Sequence, residues 1–287
     1  MEWINDSNIL IVGLGLMGGS YAKALKRMGY HVFAIDKNPE SVEYALTNGI
    51  IDRGASEGGE ELIKAADAIV VALYPSAVAG WISDNQKFFK PGLRITDVTG
   101  IKSAVVFDVL KILRKDVEFI AAHPMAGREV SGVKNSDDGM FKDANYIVVA
   151  TPENTQDAIK WCKGLGRILG FKRICVLSPK EHDRVIAFVS QLTHCIAVSL
   201  MTCTDNEHLV DYTGDSFRDL TRIARINENM WTELFFMNKE SLLREMNLFI
   251  DEFNSIRDLI EKEDAEGLKE KMRLSTKRRA LFDKKQG

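Results

Sequence analysis

His123, in the run His123-Pro124-Met125-Ala126-Gly127-Arg128-Glu129, is the residue of this 287-residue sequence best placed to move a proton. It closes an apolar stretch, and an imidazole with an unperturbed pKa of ~6.5 suits acid–base work near neutrality. A second stretch, Asp97-Val98-Thr99-Gly100-Ile101-Lys102, also follows an apolar run and brings an acid, a hydroxyl and a cation close together. A third, Gly13-Leu14-Gly15-Leu16-Met17-Gly18, is a GxGxxG between the β-branched Asn8–Val12 and a helical stretch over 20–28. In that setting Gly13 permits a tight turn, Gly15 lets the backbone approach a pyrophosphate, and Gly18 lets helix and strand pack closely. The helix N-terminus adds free N–H groups and a positive dipole end. Asp36 follows Gly18 by eighteen residues at the end of His31–Ile35, where an acid holds an adenine ribose 2′-hydroxyl. A carboxylate there repels a 2′-phosphate, which favours NAD over NADP, although the neighbouring Lys37 softens the preference. The expected cofactor is NAD, and the expected contacts are Gly13, Leu14, Gly15, Leu16, Met17, Gly18 and Asp36.

These residues need a scaffold that brings strand ends together. Asn8–Val12, His31–Ile35 and the segments 68–73, 93–97, 118–122 and 146–150 read as buried strands, with amphipathic helices between most of them. Such alternation implies a parallel sheet with helices on both faces and ligands outside the strands' carboxyl ends. Both the Asp97 and the His123 segments then face the cofactor crevice. Arg173–Leu177 adds a late strand. Ser178-Pro179-Lys180-Glu181 next offers an N-cap, a proline at the first helical position and an acid in the first turn. The domain boundary is placed there, giving an α/β part over 1–178 and an all-α part over 179–287. All six prolines lie at or before Pro179, and beyond Gly170 only Gly214, Gly267 and Gly287 remain, as long helices require.

In the second part Val185, Phe188, Val189, Leu192, Cys195, Ile196 and Ser199 recur at helical spacing. Leu242, Met246, Phe249, Phe253, Ile256 and Ile260 then alternate steps of four and three, an a/d-type seam. It reads either as a helix packed within its own domain or as part of a homodimer interface. The strongly basic tail, 277–287, reads as a solvated helix end.

Composition narrows the class further. A net charge of −3 and a pI near 6.0 leave no electrostatic footprint for nucleic acid. The cysteines 162, 175, 195 and 203 form no CxxC pair and read as reduced core thiols. The opening MEWINDSN lacks the basic and apolar regions of a signal peptide. No apolar run is read as approaching the ~18–20 residues of a membrane span. A soluble cytoplasmic protein is expected, and the scattered histidines suggest no metal site.

Four motifs add a family resemblance over nearly the whole chain: the GLGLMGGS loop at 13–20, HPMAG-x-E-x-SG at 123–132, an H-D…S-x-L-x-H helix at 182–194, and F-x-D-x-TRIA…MW at 217–231. Together they resemble the prephenate and arogenate dehydrogenases of tyrosine biosynthesis. The resemblance implies a Rossmann-type NAD domain followed by a helical substrate and dimerisation domain. It implies NAD-dependent oxidative decarboxylation of prephenate, with arogenate (cyclohexadienyl) dehydrogenation as an alternative. His123 is then the catalytic base. By the same resemblance, Arg222 is expected to grip a substrate carboxylate, His194 and Glu129 to belong to the substrate site, and Arg218 and Asp219 to serve a partner's site. Trp231 is expected to pack behind Arg222. At helical spacing Arg218, Arg222 and Arg225 share one face.

Three departures stand out. Gly100 replaces the serine that orients the catalytic histidine in the family's D-x-x-S-x-K, so either Thr99 or a water has taken over. Gln191 and Thr193 replace the first histidine and the proline of SHLPH. Neither a fused chorismate mutase nor an appended ACT domain is expected. Less favoured alternatives are a β-hydroxyacid dehydrogenase of similar fold, whose catalytic lysine has no counterpart here, and a non-catalytic NAD-binding regulator.

Overall fold

Alternating side chains along Asn8–Val12 (β1) point to opposite faces, as a strand demands. Ile9 and Ile11 enter one apolar cluster, and Leu10 and Val12 enter the other. That strand sits inside a parallel sheet with β2 (His31–Ile35), β3 (Arg53–Ala55), β4 (Ala68–Val71), β5 (Arg94–Asp97) and β6 (Glu118–Phe119), ordered β3-β2-β1-β4-β5-β6. The order reverses between β1 and β4, which opens the ligand crevice at their carboxyl ends. The computed structural model describes residue 3 and residues 6–205 and 208–282. Residues 1, 2, 4 and 5 of the opening segment and residues 283–287 of the basic tail lie outside these described residues.

The expected single parallel sheet is instead two sheets. β7 (Ala121–Met125), β8 (Asn145–Val149) and β9 (Arg173–Leu177) form the second, with β7 antiparallel to β8 and β8 parallel to β9. The run expected as one strand over 118–122 is therefore divided. Ile120 N–H still reaches the Ile95 carbonyl, and beyond it the chain pairs with β8. Pro124 has no N–H to give a ladder, and β7 is an edge strand, where proline is tolerated. β3 was not expected because Arg-Gly-Ala offers no apolar run.

Helices fill the connections: α1 (Leu16–Arg27), α2 (Pro39–Thr47), α3 (Glu60–Ala65), α4 (Pro75–Asn85), α5 (Ser103–Ile112) and α6 (Gln156–Leu169). At the expected start of the helical part, α7 (Pro179–Ile186) opens on a capping box. The Ser178 hydroxyl accepts from Glu181 N–H (3.3 Å), and the Glu181 carboxylate accepts from Ser178 N–H (2.9 Å). A π-helical segment, Ala187–Leu192, and α8 (Thr193–Thr202) continue it. Pro179–Thr202 is thus one helix of 24 residues whose best window has a mean hydropathy of 1.7. Contrary to the sequence reading, it is long and apolar enough to cross a membrane by length and composition alone. Its polar residues His182, Asp183 and Gln191 are buried and hydrogen-bonded within the fold, which is how a helix of a folded domain uses them. Next come α9 (Leu209–Tyr212), α10 (Asp215–Thr221), a 3₁₀ turn at Arg222–Ala224 and α11 (Glu228–Met237).

The chain divides into two compact units, Met1–Lys239 and Glu240–Gly287, so residue 178 falls inside the first. The second unit is made of α12 (Lys239–Glu261) from its second residue on and of α13 (Ala265–Arg279), followed by a 3₁₀ turn at Ala280–Phe282. The helix expected from the a/d seam is present, and three of the six seam residues are exposed: Phe249 (37%), Phe253 (62%) and Ile260 (59%). The cysteines are less uniform than expected. Cys162 is in the core, where burial pushes its thiol up to about 12, whereas Cys175 and Cys203 are exposed.

Candidate active site

The glycine turn has the shape its spacing implies. Gly13 adopts φ +99°, and a side chain there would meet the Ala72 carbonyl oxygen at 2.4 Å. A side chain at Gly18 would meet the Gly13 carbonyl oxygen at 1.9 Å, so these two glycines are required by packing. Gly15 differs, since nothing lies within 4 Å of where its side chain would stand. That open space is bounded by the N-terminus of α1, which has neither a side-chain cap nor an acid in its first turn. Unsatisfied N–H groups facing an open cradle suit a pyrophosphate. Leu16 and Met17 open the helix. The Leu14 side chain is buried, and its N–H donates to Asp36 Oδ2. Asp36 Oδ1 accepts from Asn38 N–H (2.8 Å). The carboxylate thereby fixes its own direction at the end of β2 and keeps lone pairs for a ribose hydroxyl.

His123 lies on β7 and is partly buried. Its Nδ1 is 2.9 Å from His182 Nε2. His182 Nδ1 in turn is 2.8 Å from Asp183 Oδ1. Asp183 is anchored by backbone donors at the start of α5, Lys102 N–H to Oδ1 (2.8 Å) and Ser103 N–H to Oδ2 (2.7 Å). On its other side, His123 Nε2 makes no hydrogen bond among the described residues, and a side chain on Gly100 would stand 3.8 Å from it. Burial, with help from His182 and Lys102, pulls His123 well below the usual imidazole range. Burial also lowers His182, against the pull of Asp183. Burial works to raise Asp183, but hydrogen bonds from His182 and Ser103 prevail and hold it below the usual carboxylate range. The arrangement is two neutral imidazoles backed by an anion, with one ring nitrogen free to take a proton.

Thr99 does not supply the hydroxyl missing at residue 100. Its Oγ1 lies against the Asp97 carboxylate and the Ile101 carbonyl and accepts from Lys102 Nζ (3.1 Å). Lys102 Nζ also donates to Asp97 Oδ2 (2.6 Å), and Ala122 N–H reaches Asp97 Oδ1 (3.3 Å). Asp97 and Lys102 are fully buried. The expectation that Thr99 orients His123 is therefore corrected: the threonine belongs to a buried knot joining β5, α5 and β7.

Glu129 and Arg222 form an ion pair, and both line a cleft of about 430 Å³ with Arg128, Val130, Asn135 and Arg225. Exposed pairs contribute only ~0–1 kcal/mol, so a substrate carboxylate can displace Glu129 from Arg222 at small cost. His194 donates Nδ1–H to the Ser190 carbonyl (2.9 Å), which leaves Nε2 as an acceptor. Burial lowers its pKa, and Glu129 and Arg222 are both near enough to act on it. Trp231 packs against His194 with ring centroids 3.7 Å apart and planes inclined by 30°. Arg218 donates to the Thr213 carbonyl (2.9 Å), and Asp219 is exposed. The expected single face of arginines breaks because α10 ends at Thr221 and Arg222 begins a 3₁₀ turn. Gln191, at a departure from the family pattern, is structural: it donates to the Leu234 carbonyl (2.9 Å) and accepts from Asn238 (2.7 Å).

Sequence reasoning gave no role to His182 and Asp183. The H-D that opens the 182–194 motif was the available signal.

Residues 21–170 match the family described as prephenate dehydrogenase, nucleotide-binding domain, and residues 178–274 match prephenate dehydrogenase, dimerization domain. The chain is 33% identical over 276 residues to the prephenate dehydrogenase of Bacillus subtilis, covering 93% of this chain and 74% of that one. It is 34% identical over 271 residues to the prephenate dehydrogenase of Lactococcus lactis, covering 91% and 73%. Among solved structures, prephenate dehydrogenase from A. aeolicus in complex with hydroxyphenyl propionate and NAD⁺ superposes with a TM-score of 0.90 at 30% identity, covering 98% of this chain and all of that one.

Proposed function

Since the chain belongs to the prephenate dehydrogenase family, we infer how its residues carry out NAD-dependent oxidative decarboxylation of prephenate to 4-hydroxyphenylpyruvate and CO₂. The cofactor is held by the N–H groups at the start of α1, by the open cradle at Gly15 and by Asp36. A nicotinamide bound there would supply the acceptor for the hydride that leaves the carbon bearing the substrate's 4-hydroxyl. His123 Nε2 receives the hydroxyl proton as that oxygen gains carbonyl character. Loss of the ring carboxylate as CO₂ makes the ring aromatic, and His123 returns the proton to the phenolic oxygen. No net proton is released. Arg222 holds a substrate carboxylate by exchanging its Glu129 partner for it, bidentately where geometry allows. His194, fixed by Ser190 and Trp231, offers Nε2 to the substrate beside them.

We further propose that the chain works as a homodimer built on residues 179–287. The exposed apolar residues Val185, Phe188 and Val189 and the exposed seam residues Phe249, Phe253 and Ile260 of α12 support this. Arg218 and Asp219, both exposed, would then serve the neighbouring protomer's site.

One observation carries the catalytic reading: a partly buried histidine whose Nε2 makes no hydrogen bond among the described residues and lies beside Gly100. The test is NADH formation followed spectrophotometrically with prephenate, arogenate and a panel of small hydroxyacids. Turnover is expected with prephenate. Turnover of the hydroxyacids alone, or of nothing, overturns the reading.

A further inference from the structure

We propose that Asp183 and His182 are positioning residues that fix His123 in its Nδ1-protonated tautomer and so make Nε2 the base. The proposal rests on the reading of His123 as the base, and its argument is a count of donors and acceptors. Both Asp183 oxygens accept backbone N–H groups, from Lys102 and Ser103, and an ionised carboxylate only accepts. The contact between Asp183 Oδ1 and His182 Nδ1 therefore needs the proton on His182 Nδ1. A neutral His182 then carries its lone pair on Nε2. Across the 2.9 Å contact, His123 Nδ1 has to be the donor. That leaves the His123 lone pair on Nε2, the nitrogen next to Gly100.

The competing arrangement is a doubly protonated His182 donating to His123 Nδ1, which would put the proton on Nε2 and disable the base. Burial works against that charge, and the nearby Lys102 ammonium adds to the cost. Residue 100 brings no side chain to hold His123 from the Nε2 side, so orientation has to come from the Nδ1 side. When Nε2 takes the hydroxyl proton, the imidazolium keeps its bond to His182, which Asp183 polarises. The 59-residue separation between the two histidines is bridged by packing α7 against the start of α5.

The test begins with the wild-type protein, histidine-labelled with ¹⁵N and examined by long-range ¹H–¹⁵N correlation near neutral pH, with His123→Asn assigning the signal. The expected result is a His123 ring with its proton on Nδ1 and its lone pair on Nε2. A proton on Nε2, or a tautomer average, overturns the proposal. This readout needs no substrate, so it stands apart from whether prephenate is turned over. Kinetics add a second arm. His182→Leu removes the acceptor, and should lower kcat about 10²-fold, at the low end of general-base effects, with KM for prephenate little changed. His182→Gln can present Oε1 to the same Nδ1–H and should recover most of that loss. Equal losses in the two variants, with the His123 tautomer unaltered in both, also overturn it.

Discussion

At the scale of single residues, His123 and Arg222 should separate by kinetic signature. His123 acts as the transition state forms, so His123→Asn should lower kcat by ~10²–10⁴-fold and leave KM little changed. Arg222 meets a carboxylate present from the first encounter. Hydrogen bonds to charged groups contribute ~1.5–3 kcal/mol, so Arg222→Gln should raise KM for prephenate about 10- to 100-fold without affecting NAD⁺ binding. Steady-state kinetics with cofactor affinity measured separately checks both, and the reverse pattern would mean the roles are exchanged. The pH dependence follows from the same geometry. The base must be neutral to accept a proton, and its pKa is held well below 6.5 by burial, His182 and Lys102. Lowering the pH through 6.5 should therefore leave kcat/KM on its plateau, with the acid limb appearing only below that value. A limb centred above 6.5 would contradict the observed burial.

Among the elements, the turn from β5 into α5 supports the site through a network of buried bonds. The Asp97–Lys102 pair is fully buried, and Thr99 and Ala122 complete its bonds. The backbone of Lys102 and Ser103 meanwhile holds Asp183. Removing one partner of a buried pair leaves an uncompensated charge, which costs about 3–5 kcal/mol. Lys102→Met should lower unfolding stability by that amount in urea titration. A loss below ~1 kcal/mol would show that the pair is dispensable. Gly100→Ser, by contrast, should be tolerated, because the nearest atoms to a new Cβ are Leu234 side-chain carbons at 3.5 and 3.7 Å, an ordinary contact.

For the whole molecule, the open question is what covers its apolar helices. Phe188 in the long helix and Phe253 in α12 are each more than half exposed, at 58% and 62%. Burying apolar surface stabilises association by ~25 cal/mol per Å², so a second copy is the expected cover. Sedimentation at micromolar concentration should report a dimer, and Phe253→Glu should shift it toward monomer. A monomeric wild type would remove the basis for sharing Arg218 and Asp219 between protomers.

Much was legible from short-range pattern alone. The GxGxxG between strand and helix, Asp36 at the end of β2 and the capping box at Ser178 are local devices whose geometry follows from backbone sterics and nearby hydrogen bonds. The family motifs located His123, His194 and Arg222 for the same reason, as neighbours in sequence. Other features depended on groups distant in the chain. The split into two sheets turned on how residues 121–125 found β8, a choice that apolar content does not encode. Thr99 looked free to orient His123 until the fold gave its hydroxyl to Asp97, Ile101 and Lys102. His182 and Asp183 entered the sequence reading only as the H-D of a family motif, with no role attached. Only packing α7 against the start of α5 brings His182 within 2.9 Å of His123, because a hydrogen bond between residues 59 apart is set by which helix faces meet and not by spacing along the chain.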